Sequence, residues 1–217
     1  MKYLLCVLFG YLVGTINPSY IIGKMRGLDI RENGSKNAGA SNALIMFGKF
    51  IGVFCALFDI AKSALVIWMC GSLFPELTYS FSITGISCVL GHVFPFYMKF
   101  KGGKGLACLG GMILAFDWRV FLIMLACEIL VAVASDYICF VPLSATVIFP
   151  VVYGCMRRER WEALILCLLI PLMLWKHKEN LKRIRLGTEM RLSFLWNKEK
   201  ELERLNISQR EKEENSK

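Results

Sequence analysis

The sequence predicts an all-helical membrane protein with about seven transmembrane helices, and three observations lead to that prediction. The 217 residues are 56% hydrophobic and only 20% charged, which is more apolar and less charged than a typical soluble domain. The mean hydropathy is +0.51. The apolar residues also fall into long runs, and a helix needs about 20 apolar residues to cross a hydrocarbon core.

Seven segments approach the length of a membrane span. The first has a lone Lys2 before a long apolar run and no cleavage site followed by a polar chain, so we predict an uncleaved span rather than a signal peptide. The fourth is short, and it either crosses with a tilt or is re-entrant. The segments are residues 1–22, 50–70, 77–98, 106–116, 120–134, 138–154 and 161–175.

The basic residues predict which side each loop faces, because loops rich in Lys and Arg beside a span stay in the cytoplasm. We place the N-terminus outside and the C-terminus in the cytoplasm. The cluster of Arg157, Arg158 and Arg160 then falls outside and is the one contrary feature. The regions that lie inside are residues 24–49, 99–105, 135–137 and everything after 175.

Composition also bears on partners and cofactors. We interpret the net charge of +9 as a signal of topology rather than of nucleic-acid binding, because the basic residues cluster beside spans. The nine cysteines are scattered without a Cys-x-x-Cys pair, so we expect no metal site, no disulfide framework and no cofactor. Residues 1–191 are predicted to form one membrane domain, and residues 192–217 a charged cytoplasmic tail.

Ionisable residues occur within two of the predicted spans. Asp59 and Lys62 lie near the middle of the second segment at a spacing of three residues, which lets them neutralise one another on one helix face. Each costs roughly 2.5 to 3.5 kcal/mol at the bilayer centre when inserted alone. Glu128 is similarly placed but has no obvious partner nearby in the sequence.

The most informative loop runs from residue 91 to residue 105. Its glycines allow backbone N–H groups to approach an oxyanion, its lysines add positive charge, and an apolar helix begins directly after it. This pattern is typical of a phosphate site, although no Ser or Thr follows the last lysine as in a Walker A loop. The alternative is a flexible basic loop. The candidate residues are His92, Lys101, Gly102, Gly103, Lys104 and Gly105.

A second loop, residues 29–42, concentrates hydroxyl, amide and glycine residues. Such a loop suits hydrogen bonding to a polar ligand. The alternative is that Ser35, Ser41 or Asn42 only caps the following helix. The candidate binding residues are Ser35, Asn37, Gly39, Ser41 and Asn42.

A third stretch follows the last predicted span. His177 and Asn180 are three residues apart and share a helix face, and Glu189 follows a glycine turn. A basic anchor at the membrane surface would explain the lysines and arginines here. It would not explain the histidine, the asparagine and the glutamate.

Taken together, these loops resemble the bacterial acyl-phosphate:glycerol-3-phosphate acyltransferase family (the PlsY type). The resemblance covers about residues 11–191. It implies a seven-span, multi-pass protein of the bacterial cytoplasmic membrane that transfers a fatty acyl group from acyl phosphate to the 1-hydroxyl of glycerol 3-phosphate. The product would be lysophosphatidic acid for phospholipid biosynthesis. The implied partners are these two substrates, the lipid bilayer and the enzyme that supplies acyl phosphate.

Several positions depart from the family pattern. Lys36 stands in place of a glycine, Ser41 and Cys108 each in place of a threonine, Ile45 in place of an arginine, and Asp136 in place of a basic residue. Lost positive charge weakens the binding of a dianionic phosphate. The alternatives to the active enzyme are therefore an inactive or altered-substrate relative, or a small transporter or binding protein for phosphorylated metabolites.

The chemistry expected from the resemblance needs little beyond positioning. Acyl phosphate is a mixed anhydride with a good leaving group, and neither a Ser–His–Asp arrangement nor a His-x4-Asp pattern is evident. We therefore expect positioning and oxyanion stabilisation to dominate, with His92 fixing the loop rather than acting as a base. The residues expected to be catalytic are Ser35, His92, Lys104, His177 and Asn180. The residues expected to bind phosphate or substrate are Asn37, Gly39, Ser41, Asn42, Lys101, Gly102, Gly103, Gly105 and Glu189.

Overall fold

The computed structural model describes residues 1–197 and 199–205, and within these residues every regular element is a helix. The predicted all-helical fold is thus confirmed for the described part of the chain. Short 3-10 turns lie at Phe96–Met98 and Leu192–Leu195, and residues 199–205 are helical. The α-helices are α1 Lys2–Thr15, α2 Pro18–Met25, α3 Ala40–Phe47, α4 Lys49–Leu73, α5 Ser80–Val93, α6 Leu106–Phe116, α7 Trp118–Ser135, α8 Phe140–Arg157, α9 Arg160–Leu166 and α10 Leu169–Arg185.

Within residues 1–197 and 199–205, five helical segments are long and apolar enough to cross a bilayer. They are Lys2–Met25, Lys49–Leu73, Ser80–Met98, Trp118–Ser135 and Phe140–Arg157. The fourth predicted span is only the 11-residue helix α6. The seventh is divided between α9 and α10, with a turn at residues 167–168. The count of seven crossings therefore stays a prediction. The five long apolar segments are those of a helical membrane protein.

Large apolar side chains cover the outward faces of the long helices. Phe50 and Leu57 of α4 are 86% and 60% exposed, and Leu130 of α7 is 68% exposed. A surface this apolar suits contact with lipid chains rather than water.

The first spanning segment contains a break at Asn17, where α1 ends and α2 begins. Pro18 occupies the first position of α2, which a proline tolerates because no intrahelical N–H bond is needed there. The Asn17 side chain accepts a hydrogen bond from the Tyr20 N–H at 2.8 Å and donates one to the Ala38 carbonyl at 2.8 Å. Asn17 thereby ties the break to the loop at residues 29–42.

Helices α1 and α5 approach so closely that glycines are required between them. A Cβ atom at Gly14 would overlap the carbonyl oxygen of Cys88, and one at Gly91 would overlap the carbonyl oxygen of Tyr11. The Tyr11 hydroxyl donates a hydrogen bond to the Phe94 carbonyl at 2.8 Å. Packing against α1 therefore fixes the position of the end of α5.

The ionisable residues within the spans have partners. Lys62 Nζ lies 2.6 Å from Asp59 Oδ1, as the spacing predicted, and it also donates a hydrogen bond to the Ile16 carbonyl at 2.5 Å. Glu128 has no partner nearby in the sequence, but the next helix supplies one. The Ser144 hydroxyl donates to Glu128 Oε2 at 2.6 Å. These contacts offset part of the cost of placing charge in an apolar bundle.

Candidate active site

The three loops identified in the sequence are linked to one another at one end of the helices. Arg31 Nη1 donates a hydrogen bond to the Met98 carbonyl at 2.6 Å, which joins the loop at residues 29–42 to the turn after α5. Lys104 Nζ donates to Asn180 Oδ1, which joins the glycine-rich loop to α10. The structure therefore brings the three predicted motifs together.

Asn42 holds the first loop in its folded shape. Its Nδ2 donates to the carbonyls of Ile30 and Asn33 at 2.8 and 2.9 Å, and its Oδ1 accepts from the Ser35 N–H at 2.8 Å. The side chain is fully buried and both of its N–H bonds are used. These contacts assign Asn42 to the loop rather than to direct substrate contact, and they also differ from a helix cap.

Three other side chains of this loop are available to a ligand. The Ser35 and Ser41 hydroxyls are exposed and the Asn37 amide is half-buried, and none of them has a hydrogen-bond partner among the described residues. Gly39 is buried and is the residue before α3. The loop thus offers two hydroxyls and one amide on a backbone that Asn17 and Asn42 hold in place.

The glycine-rich loop folds back over the end of α5. The N–H groups of Gly102 and Gly103 donate to the carbonyls of Val93 and His92, each at 3.1 Å. A Cβ atom at Gly103 would overlap Nε2 of His92, so only glycine fits there. The amides of these two glycines are thus used within the protein. Of the backbone N–H groups predicted to bind phosphate over residues 102–105, these two are therefore not available to a ligand.

Backbone donors remain where the loop enters α6. Among the described residues, the N–H groups of Lys104, Gly105 and Leu106 have no acceptor, and Gly105 adopts the left-handed conformation with φ +91°. Successive amides of this kind form a concave anion site, and the N-terminus of a helix adds a favourable dipole. We call these three consecutive amides, whose arrangement suits an anion, the anion-binding edge.

His92 lies beneath this loop rather than at its surface. Its side chain is 3% exposed, and its Nδ1 lies 3.2 Å from Lys62 Nζ and 3.4 Å from Asp59 Oδ1. Cys108 is fully buried beside them, and its sulfur and the Asp59 and His92 ligand atoms lie within 4.8 Å of one another. The Lys62 ammonium contacts both the Asp59 carboxylate and the His92 ring. This cluster supports the loop from below.

The Lys104 side chain begins a chain of polar contacts. It donates to Asn180 Oδ1; Asn180 Nδ2 donates to Glu189 Oε1 at 2.5 Å, and Arg183 Nε donates to Glu189 Oε2 at 2.6 Å. Burial lowers the pKa of Lys104 to about 8, although the nearby Glu189 carboxylate acts in the opposite direction. The lysine is thus close to its titration range near neutral pH.

His177 and Glu189 are both oriented by α10. His177 Nδ1 lies 2.9 Å from the Met173 carbonyl, and because a carbonyl only accepts, Nδ1 carries the proton and Nε2 is left for another partner. Helix α10 then ends, and Gly187, with φ +69°, turns the chain back. The turn returns Glu189 to Asn180 and Arg183.

Two lysines in the predicted loops have no partner among the residues that the structure describes. The side chains of Lys36 and Lys101 are exposed and make no hydrogen bond or ion pair within the described part of the chain. Lys36 also has φ +56°, a conformation that glycine adopts more readily. Both ammonium groups are therefore open to an anionic ligand.

Sequence reasoning missed two groups that build the site. Arg183 is not among the candidate residues that the sequence indicates, yet it holds Glu189. Asn17 was not selected, although an asparagine directly before a proline is a signal for a helix start.

The fold and the three joined loops define a helical, integral membrane protein with a basic, glycine-rich site at one end of its helices. The sequence profile of the glycerol-3-phosphate acyltransferase family matches residues 4–187. The chain therefore belongs to the glycerol-3-phosphate acyltransferase family, as its motifs indicated.

Individual relatives agree with this membership. Glycerol-3-phosphate acyltransferase 1 of Oceanobacillus iheyensis is 36% identical over 209 residues, which cover 91% of this chain and 99% of the relative. The glycerol-3-phosphate acyltransferase of Bacillus subtilis is 35% identical and is covered to 98%, against 88% of this chain.

The fold is also similar to crystal structures of PlsY (YgiH), an integral membrane glycerol 3-phosphate acyltransferase. The glycerol 3-phosphate form has a TM-score of 0.80 and 28% identity, and the match covers 90% of this chain and 98% of that one. The lysophosphatidic acid form has a TM-score of 0.77 and 29% identity, with 88% and 95% covered.

Two substitutions test whether Asn42 stabilises the fold of the first loop whereas the exposed Ser41 does not. Asn42→Ala leaves the carbonyls of Ile30 and Asn33 and the Ser35 N–H without partners, and the buried Ile30 carbonyl alone costs about 1–3 kcal/mol. We expect a clearly lower melting temperature in detergent. Ser41→Ala, the matched control at an exposed side chain without a partner, should melt like the wild type. Equal melting temperatures for the two variants would contradict the role assigned to Asn42.

Proposed function

We propose that this protein transfers a fatty acyl group from acyl phosphate to the 1-hydroxyl of glycerol 3-phosphate, releasing lysophosphatidic acid and phosphate. The observation that carries the proposal is the contact between Lys104 and Asn180, which joins the anion-binding edge at the start of α6 to the polar groups of α10. Family membership and the similarity to the two forms of PlsY support it.

The anion-binding edge is suited to the acyl phosphate. The amides of Lys104, Gly105 and Leu106 lie at the start of α6 and have no acceptor among the described residues, and the Lys104 side chain adds a positive charge that contacts Asn180. Hydrogen bonds that involve a charged partner are about twice as strong as neutral ones. The hydroxyls of Ser35 and Ser41, the Asn37 amide, and the free ammonium groups of Lys36 and Lys101 add donors from the neighbouring loops.

The α10 side of the site is suited to glycerol 3-phosphate. Asn180 is held between Lys104 and Glu189, and Glu189 is held in turn by Arg183, so the amide has one orientation. His177 keeps Nε2 available because its Nδ1–H is bonded to the Met173 carbonyl. We assign these groups to orienting the glycerol hydroxyl and its phosphate.

The remaining candidates support the site from behind. Gly102 and Gly103 let the loop lie directly on the end of α5, and the buried His92 ring fills the space beneath Gly103. Gly39 directly precedes α3, and Asn42 holds the first loop. We therefore assign His92, Gly39, Gly102 and Gly103 to positioning.

The reaction follows from the reactivity of the donor and needs no covalent intermediate. The 1-hydroxyl oxygen attacks the carbonyl carbon of the acyl phosphate, and the bond from that carbon to the phosphate oxygen breaks. The departing phosphate accepts the hydroxyl proton, so an ester and inorganic phosphate result. The protein aligns the two substrates and stabilises the charge on the carbonyl and phosphate oxygens.

We further propose that the protein lies in the bacterial cytoplasmic membrane with seven crossings, its N-terminus outside and the three loops facing the cytoplasm. The excess of Lys and Arg in these loops supports that orientation. A cytoplasmic site would also meet acyl phosphate where its supplying enzyme releases it.

The orientation is tested by cysteine labelling in a background whose more accessible cysteines, Cys127, Cys155 and Cys167, are replaced by serine. Lys36→Cys and Lys182→Cys should both react with an impermeant maleimide in inverted vesicles and resist it in intact cells. Labelling of the two positions from opposite sides would contradict the topology.

The activity is tested with purified protein, acyl phosphate and glycerol 3-phosphate, scored for lysophosphatidic acid. The wild type should form product, and Lys104→Ala should lose about 10²–10³-fold in kcat/KM, a loss typical of removing one charge-stabilising donor. Lys49→Ala, at an exposed lysine at the start of α4, is the matched control and should retain full activity. No product from the wild type would reject the proposal and favour an inactive relative. Equal rates for the wild type and Lys104→Ala would reject the role assigned to Lys104.

The pH dependence follows from the lowered pKa of Lys104. The ammonium form exists below a pKa of about 8, so kcat/KM should fall as the pH rises through that value and the positive charge is lost. Glycerol 3-phosphate changes its charge at lower pH and does not contribute to this limb. In Lys104→Arg the guanidinium remains charged, so the alkaline limb should move to higher pH. An unchanged limb would show that another group titrates.

A further inference from the structure

The chain beyond the family match returns to the candidate site. The profile of the family ends at residue 187. Arg204, 17 residues further on, donates from Nη1 to the Gly187 carbonyl at 2.6 Å and from Nη2 to the Glu189 carbonyl at 2.7 Å. One guanidinium therefore holds both ends of the turn that carries Glu189.

Glu201 fixes the position of this guanidinium. Its Oε2 accepts from Arg204 Nε at 2.8 Å and its Oε1 from Nη2 at 2.5 Å. The same Oε1 accepts from the Arg191 N–H at 2.8 Å, and the Glu201 residue is 4% exposed. A bidentate ion pair between an arginine and a carboxylate has a defined geometry, which a flexible lysine cannot reproduce.

Asp136, at the end of α7, contacts the same segment. Its carbonyl accepts from the Leu192 N–H at 2.8 Å, and its Oδ1 accepts from the Ser193 N–H at 3.0 Å. Arg191 Nε lies 3.9 Å from its Oδ2. The motif comparison implied a basic residue at this position, in a role that concerns phosphate. Here the carboxylate is engaged with the chain after Glu189.

We propose that residues 191–197 and 199–205 form a strap that holds the Glu189 turn in place, with Arg204 as a positioning residue for acyl transfer and Asp136 as the anchor of the strap. The strap acts through Glu189, which holds Asn180 on the α10 side of the site. This inference rests on the proposed function, because its kinetic effect requires acyl transfer. It assigns the acid at position 136 to the strap rather than to substrate.

Arg204→Ala in the full-length protein should raise the KM for glycerol 3-phosphate about tenfold, since it removes hydrogen bonds from a charged group. The KM for acyl phosphate should stay near the wild-type value. Arg204→Lys should remain defective, because one ammonium cannot contact two carbonyls and a carboxylate together. Glu203→Gln, at the exposed neighbouring residue, is the matched control and should behave like the wild type.

Asp136→Arg distinguishes the anchor from a substrate contact. If Asp136 anchors the strap, this change repels Arg191 and raises the KM for glycerol 3-phosphate. If position 136 faces the phosphate, the added charge lowers that KM, and this result would overturn the assignment of Asp136.

Hydrogen exchange of residues 187–191 provides a measurement that does not depend on turnover. Arg204→Ala should speed exchange in this segment while α4 and α5 exchange as in the wild type, which also shows that the variant is folded. Full restoration of the KM by Arg204→Lys, or an Arg204→Ala variant equal to Glu203→Gln in both KM and exchange, would overturn the strap. An inactive wild type would reject the proposed function, and the exchange result would still decide the strap.

Discussion

The close backbone contact between α1 and α5 is the constraint on which the rest of the site depends. Gly14 and Gly91 permit it, and any side chain at either position would overlap the facing backbone. The contact fixes the end of α5, the His92 ring at that end supports Gly103, and the loop then delivers Lys104 to Asn180. A site formed by connecting loops gains its precision from this rigid helix pair.

A buried group of charged side chains also contacts this helix pair. Lys62 contacts Asp59, His92 and the last carbonyl before the break at Asn17, so one ammonium links α4, α5 and the end of α1. Removing one member would leave an unpaired charge in an apolar bundle, a defect that usually costs more than the pair contributes. The cluster therefore holds the helices in one arrangement at the level where the loops begin.

The sequence was sufficient for the helical membrane class and for the three motifs, because run length, glycine and positive charge are local signals. It was not sufficient to tell which amides remain free, since the bonds from Gly102 and Gly103 to the end of α5 depend on how the loop folds back. The roles of Asn42 and Arg204 were hidden for the same reason. Their backbone partners lie 7 to 17 residues away along the chain, and no periodic pattern predicts such contacts.

Because α4 and α7 present apolar faces to lipid, the two substrates of the proposed reaction have effective concentrations that are defined in different phases. Glycerol 3-phosphate reaches the loops from water, so its bulk molarity sets how often the site is filled. A donor with a fatty chain dissolves among the lipids that cover Leu57 and Leu130, so its mole fraction in the membrane matters instead. Adding detergent dilutes the second substrate without diluting the first.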